Sequence, residues 1–268
     1  MKAPDNTTDD VSVADETSRT SRGIQSIEVG GKLLKVLAQT GRQMALKDLA
    51  RDAGMAAAKA HPYLVSFGKL GLIERDALSG HYGLGPLAVQ LGLISLQQVD
   101  PVRLAIAELP QLALAAGCTV SAAVWGATGP VIVRVEDGPG PVNVSMRHGM
   151  PASLRHTGTG KVFAAFADAA TVAIAMATEG TAGALTDPGF VAELAQIRKD
   201  GLSVVRDELI PGISAMAVPV FDGFGKLVLA IAAMGPTAMM DLSRQGGLAT
   251  NLRDTGKRLS ARLGSAKV

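Results

Sequence analysis

Cys118 is the only cysteine in 268 residues, so the chain closes no internal disulfide, and a lone thiol cannot complete a zinc-thiolate site. The four histidines, His61, His81, His148 and His156, never fall at the spacing of a paired metal ligand, so no metal is expected. Aromatic residues are 3% of the chain against 47% apolar residues, which leaves Ala, Val, Leu, Ile and Met to build the core. Long hydrophobic runs are missing as well. The most apolar stretches are broken by charges such as Asp168 before they reach the ~20 residues of a membrane span, and residues 1–22 contain no apolar stretch of the signal-peptide kind. A secreted disulfide scaffold, a zinc module and a membrane-spanning protein are thus excluded, and a cytosolic chain of two domains is expected at ~150 residues per domain.

Net charge is only +2, but the charge is unevenly placed. Residues 1–22 hold 3 basic and 5 acidic side chains, 23–85 hold 8 and 5, and 86–268 hold 15 and 14. The basic excess in the second segment is a weak pointer to a phosphate-bearing partner there and to a different role for the neutral remainder.

Residues 1–22, rich in Thr, Ser and Asp and without an apolar period, read as a disordered tail. From Ser26, a candidate cap, Ile27, Leu34 and Leu37 lie on one helical face that ends at Gly41. Leu46, Leu49, Ala50 and Ala53 make a second short helix closed by Gly54, and residues 56–68 a third with Ala60, Leu64 and Phe67 inward. Extended pieces at 72–75 and 82–84 flank the turn residues Ser79 and Gly80. Helix, helix-turn-helix and hairpin in this order spell a winged helix spanning 23–86.

Residues 87–99 form a linker helix, and a helix from Val102 to Ala116 is expected to break or bend at Pro110. Val-rich strands are expected at 119–125, 130–136 and 142–147, helices at 158–167, 169–178 and 188–199, and strands near 202–207, 214–221 and 227–233. A final amphipathic helix runs from 237 towards 263. Residues 100–268 are therefore α+β with a largely antiparallel sheet.

The segments GIQSIEVGGKLLKVLA (23–38), LKDLARDAGM (46–55), KAHPYLVSFGKLGLIERD (59–76) and SGHYGLGPLAVQLG (79–92) resemble the IclR family of bacterial transcriptional regulators. The resemblance continues through DPVRLA (100–105), RHTGTGKVFAAF (155–166), DGLSVVRDELIPGISAMAVPVFD (200–222) and MGP (234–236). It implies a winged helix that places a recognition helix in the DNA major groove, joined to a GAF-like α+β domain that binds a small effector and helps to form a homodimer or homotetramer.

In the recognition helix, Lys59, His61, Ser66 and Lys69 are the polar side chains able to reach bases or phosphates, and Lys47 and His81 complete the DNA-binding candidates. Arginines are sparse. Pro62 stands where the family usually has an arginine, and inside a helix it removes a donor, so the helix either starts later or bends.

Arg155, His156, Gly158, Thr159 and Gly160 are the candidates for an effector's acidic head, because backbone N–H groups at a helix start can face an anion. The same glycines would equally serve a tight turn into the helix. Arg155 and Val162 stand where a Walker loop needs glycine and Ser/Thr, and Phe163 where GxGxxG needs glycine, so no nucleotide loop is present. If 155–156 is extended, only one of Arg155 and His156 enters a pocket. The resemblance adds Ile213, Ala215, Ala232 and Met234 as an apolar wall. Some relatives carry hydroxyl or thiol groups at the last three, and their absence favours a ligand with apolar or aromatic surface.

Cys118, Trp125 and the methionines are expected in the core, and Asp207–Glu208 in a solvated turn. No nucleophile, base and orienting acid can be assembled, so no enzyme and no cofactor is expected. The reading is an effector-responsive transcription factor with double-stranded DNA as partner. Its rival is a ligand-binding or protein-interaction module with weakened DNA recognition.

Overall fold

The computed structural model describes residues 23–265, so the expected tail at 1–22 lies outside the described residues. The chain divides into two compact units between Leu93 and Ile94.

The first unit holds α1 (Gln25–Thr40), α2 (Leu46–Asp52), α3 (Ala57–Lys69), β1 (Ile73–Arg75) and β2 (Tyr82–Leu84). Its core is Leu33, Leu37, Leu49, Ala50, Ala60, Leu64 and Ile73, with Tyr82 from the hairpin. Gly41 and Gly54 take positive φ where α1 and α2 end, as their spacing predicts. The start of α1 differs from expectation. Ile24, not Ser26, is at the N-cap and makes no side-chain bond, and Ile27 is 67% exposed while Leu33 faces inward. The buried stripe of α1 is Gly30, Leu33 and Leu37, with Leu34 packed beside it, and Ile27 falls outside it.

Pro62 neither delays nor ends α3, which begins right after Ala56. The proline sits on the exposed side, so the carbonyl it deprives of a partner, on exposed Ala58, faces water instead of a buried wall. The helix α4 (Pro86–Gln98) follows, none of its residues is buried, and the boundary between the units falls within it.

In the second unit, α5 (Pro101–Ala116) starts at Asp100, whose carboxylate accepts from the N–H groups of Val102 and Arg103. It runs unbroken through Pro110, which is exposed for the same reason as Pro62, so the expected interruption is absent. Five strands, β3 (Thr119–Trp125), β4 (Pro130–Glu136), β5 (Ser203–Arg206), β6 (Ile213–Phe221) and β7 (Leu227–Pro236), make an antiparallel sheet of order β4-β3-β7-β6-β5. One face packs against α5 and α9 (Gly247–Arg262), the other against α6 (Gly158–Phe166), α7 (Ala169–Glu179) and α8 (Pro188–Asp200).

Two expectations fail here. Residues 142–147 form no strand, because both sides of β3 are taken and the free edge of β4 is occupied by 149–152, through Ile132 N–H to Met150 and a bridge between Val131 and Pro151. The last helix begins at Gly247, ten residues late, since Thr237–Met239 form a 3₁₀ turn and Asp241 accepts from Ser243 N–H in a tight turn before it.

Candidate effector cavity and DNA-facing helix

The N-terminus of α6 is built by its own sequence. Thr157 caps it, accepting from Gly160 N–H at 2.9 Å and donating to the Ser153 carbonyl at 2.7 Å. The N–H groups of Gly158 and Thr159, first in the helix, have no carbonyl four residues back within it and are left to a ligand or solvent. Both residues open onto a cavity of about 760 Å³, counting its mouth.

One wall is Ile213, Ala215 and Met234 on the sheet, with Val205. Ile132 on β4 belongs to the same sheet, Val144, Met146, Met150, Pro151 and Ala152 come from the segment after β4, and Leu209 and Ile210 from the turn before β6. His156 is the one ionisable side chain among the described lining residues, and Ser145, Thr157, Thr159 and Ser214 supply the remaining polar groups. Ser214 is already engaged with the Thr237 hydroxyl at 2.8 Å. The lining is thus apolar apart from these few polar groups and the N–H groups at the start of α6.

The candidates separate. His156, Gly158, Thr159, Ile213, Ala215 and Met234 line the cavity. Arg155 does not: residues 154–156 form a turn instead of an extended piece, and the guanidinium pairs with Asp187 at 3.3 Å over the Phe190 ring, 4.7 Å from its centre. Gly160 is a packing glycine, since a Cβ there would lie 1.9 Å from the Ser153 carbonyl oxygen. Ala232 is buried one row further along the sheet and is not part of the lining.

Several lining residues escaped the sequence reading. Val144, Met146 and Met150 line the cavity from the loop after β4, and Met146, like the expected Met234, also packs in the core. The Asp207–Glu208 turn is not simply solvated. Glu208 pairs with Lys161, whose side chain is fully buried beneath α6 and also meets Glu193 at 2.8 Å. Asp207, at φ 57, accepts from Gly212 N–H and the Thr237 hydroxyl. The apolar pair Leu209–Ile210 directly after two acids was the available signal. Cys118 is buried, and burial pushes its thiol pKa up, as an inert core cysteine requires.

In the first unit, Lys59, Ser66 and Lys69 share the exposed face of α3 with Pro62, and His61 lies beside them, also exposed. The Ser66 hydroxyl donates back to the Pro62 carbonyl at 3.0 Å. Lys47 is exposed on α2. His81 is half-buried at the base of the wing turn, where Asp76 accepts from Leu78 N–H, Ser79 N–H and the Ser79 hydroxyl. Those bonds, the Ser79 backbone one foremost, hold the Asp76 carboxyl below its usual pKa. Arg51 is paired with Asp48 and Asp52, and Arg75 is held by the Gly80 carbonyl and the Tyr82 ring, so neither is a free cation.

Residues 26–77 match the IclR helix-turn-helix domain, and residues 94–261 match the bacterial transcriptional regulator IclR C-terminal domain. The HmgR structure from Pseudomonas aeruginosa is 35% identical, with a TM-score of 0.83 over 91% of this chain and 100% of that one. The glycerol operon regulatory protein of Streptomyces coelicolor is 29% identical over 92% of this chain and 99% of its own length. The repressor YiaJ of Escherichia coli is 26% identical over 90% and 89%. The curated relatives are regulators and repressors, not enzymes. The chain belongs to the IclR family and is a DNA-binding transcriptional regulator with a C-terminal effector-binding domain.

Proposed function

We propose that the effector is an organic acid with a largely apolar or aromatic body, bound in the cavity at the α6 N-terminus. The carrying observation is the pairing of two N–H groups at a helix start with walls made of Ile, Val, Met and Ala. The acid head sits against Gly158, Thr159 and His156, and the body lies between Ala215, Met234 and Met146. A compact hydrophilic acid would leave those walls wet and gain little from them.

Operator reading falls to Lys59, His61, Ser66 and Lys69 on α3, with Lys47 and His81 flanking. One small winged helix makes too few base contacts for useful specificity, so a homodimer or homotetramer on a palindrome is part of the proposal. Helix α4 supplies an apolar surface for it, with Val89, Leu91, Leu93, Ile94 and Leu96 all exposed. The protein works in the cytoplasm, where its DNA is.

The test is a gel shift of the full chain on the DNA upstream of its own gene, with and without aromatic and aliphatic acids, alongside mass spectrometry of ligand retained on purification. A second reading, weakened DNA recognition, has one observation in its favour: Pro62 occupies the middle of the exposed α3 face, and α3 itself contains no arginine. Ligand binding without any shifted DNA would select it.

A further inference from the structure

Helix α9 leaves one stripe of its surface uncovered. Gly247, Thr250, Asp254, Lys257 and Ala261 are all exposed and recur at intervals of three and four residues, which puts them along one side of the helix, and exposed Gly264 continues the line. Beside them Arg258 and Arg262 pair with Glu108 on α5. Asp254 and Lys257 join no ion pair among the described residues.

Reversed, the stripe is its own complement. Laid antiparallel on a copy of itself, with the twofold axis midway between Asp254 and Lys257, each Asp254 meets the partner's Lys257. In the same register Thr250 meets the partner's Ala261, and Gly247 the partner's Gly264, so small side chains flank the charges and let the backbones approach. A parallel alignment would instead set each charge against its own kind.

The two ends of the stripe also match. Of the six phenylalanines only Phe224 is exposed, by 80%, at the tip of the turn between β6 and β7. Asp222 accepts from the N–H groups of Phe224 and Lys226 and fixes that tip. A Cβ on Gly223 would meet the Gly264 carbonyl oxygen at 3.2 Å, which places the turn at the C-terminal end of α9. At the N-terminal end, between the last turn of α5 and the first of α9, opens a cavity of about 830 Å³, counting its mouth. Val142, Met239, Met240 and Leu248 give it apolar walls, and Asp241 is its carboxylate. Over the 16 residues of α9 the two ends lie ~24 Å apart. The antiparallel alignment therefore carries each Phe224 to the end of the partner helix where the cavity opens, and exposed Lys226 to the partner's exposed Asp241.

We propose that the exposed stripe of α9 is a twofold interface with a second copy of this chain, held at its centre by Asp254 and Lys257 and at each end by Phe224 seated in the partner's cavity. This rests on the homo-oligomer of the reading above and gives the second unit a contact surface of its own, separate from α4. An aromatic anchor in a pocket with charges beside it is the composition of an interface centre.

The test is sedimentation velocity of the full chain over a concentration series. Asp254→Lys and Lys257→Asp should each raise the dissociation constant by more than about tenfold, because each sets like charges together at two places. Both positions are exposed, so melting temperatures should stay near wild type. Mixed in equal amounts, the two variants should assemble with each other as tightly as wild type, since one stripe then carries two cations and the other two anions. An effect confined to one helix cannot be rescued by mixing. Phe224→Asp should weaken assembly as the single reversals do. A reversal or Phe224→Asp that assembles like wild type, or a mixture no tighter than its components, would overturn the inference and leave the homo-oligomer standing. A wild type that stays monomeric throughout overturns both.

Discussion

The Lys161 ammonium and the Glu208 carboxylate lie 2.7 Å apart, with the lysine fully buried and the glutamate on the loop that carries Leu209 and Ile210 to the cavity. The pair ties the helix whose N-terminus faces the ligand to one cavity wall, and Glu193 on α8 completes it. Removing one member of a buried pair leaves the other without compensation.

Lys161→Ala should therefore cost about 3 kcal/mol, because it opens space under α6 and leaves two carboxylates facing each other. Glu208→Gln should cost about 1 kcal/mol, since Glu193 still neutralises the ammonium, yet it should weaken ligand binding by freeing the 207–212 loop. Thermal melts and ligand titration of both variants check the order. Equal melting temperatures would show that the ion pair does not hold the wall.

The two glycines at the start of α6 should respond oppositely. A Cβ at Gly160 would sit 1.9 Å from the Ser153 carbonyl oxygen, a backbone atom that cannot move aside, whereas at Gly158 it would meet the Ala217 Cβ at an ordinary 3.5 Å. Gly160→Ala should unfold or severely destabilise the second unit, and Gly158→Ala should melt near wild type. Circular dichroism melts decide it, and a stable Gly160→Ala protein would refute the packing role.

These glycines also show how much the sequence could tell. Their position before an apolar helix marks the α6 start, and Val-rich runs between Gly and Pro place β3 and β4 at the residues observed. Periodicity reports which residues avoid water, but not what covers them. Val144 and Met146 mimic a strand because they alternate against a cavity, and Ile27 mimics a core residue while lying exposed. Lys161 was invisible for a related reason. A lysine in an apolar helix reads as a solvated charge until the fold brings Glu193 and Glu208, 32 and 47 residues away, to meet it. Arg155 and His156, adjacent in sequence, part company because the chain turns there, sending one to Asp187 and the other to the cavity.

The wing should loosen at acid pH. Asp76 has its pKa lowered in the folded chain by hydrogen bonds from Ser79 and Leu78, so its contribution is full above the ordinary carboxylate pKa of about 3.9 and is lost as pH falls through the lower folded value. Asp76→Asn should remove that acid-side dependence. Amide exchange at Leu78 and Ser79, followed from neutral to acid pH, should rise in wild type at the acid end and start high, without the same pH step, in the variant.

Pro62 gives the sharpest test of the DNA-facing helix. It lies inside α3 on the exposed face with Lys59, Ser66 and Lys69, and its ring removes one helical hydrogen bond at a position where no packing demands it. Pro62→Ala should therefore stabilise the first unit, by at most about 3 kcal/mol and by less where water already satisfies the freed carbonyl. Pro62→Arg should give a similar gain and add a cation to the face, tightening DNA binding and steepening its salt dependence, with altered operator preference where the arginine reaches a guanine. Lys59→Ala should do the reverse, weakening binding and flattening the salt slope by about one released counterion. Gel shifts across a salt series on the upstream DNA measure all three variants. If Lys59→Ala and Pro62→Arg both bind as wild type does while Pro62→Ala raises the melting temperature, α3 is a structural helix and the DNA is read elsewhere on the protein.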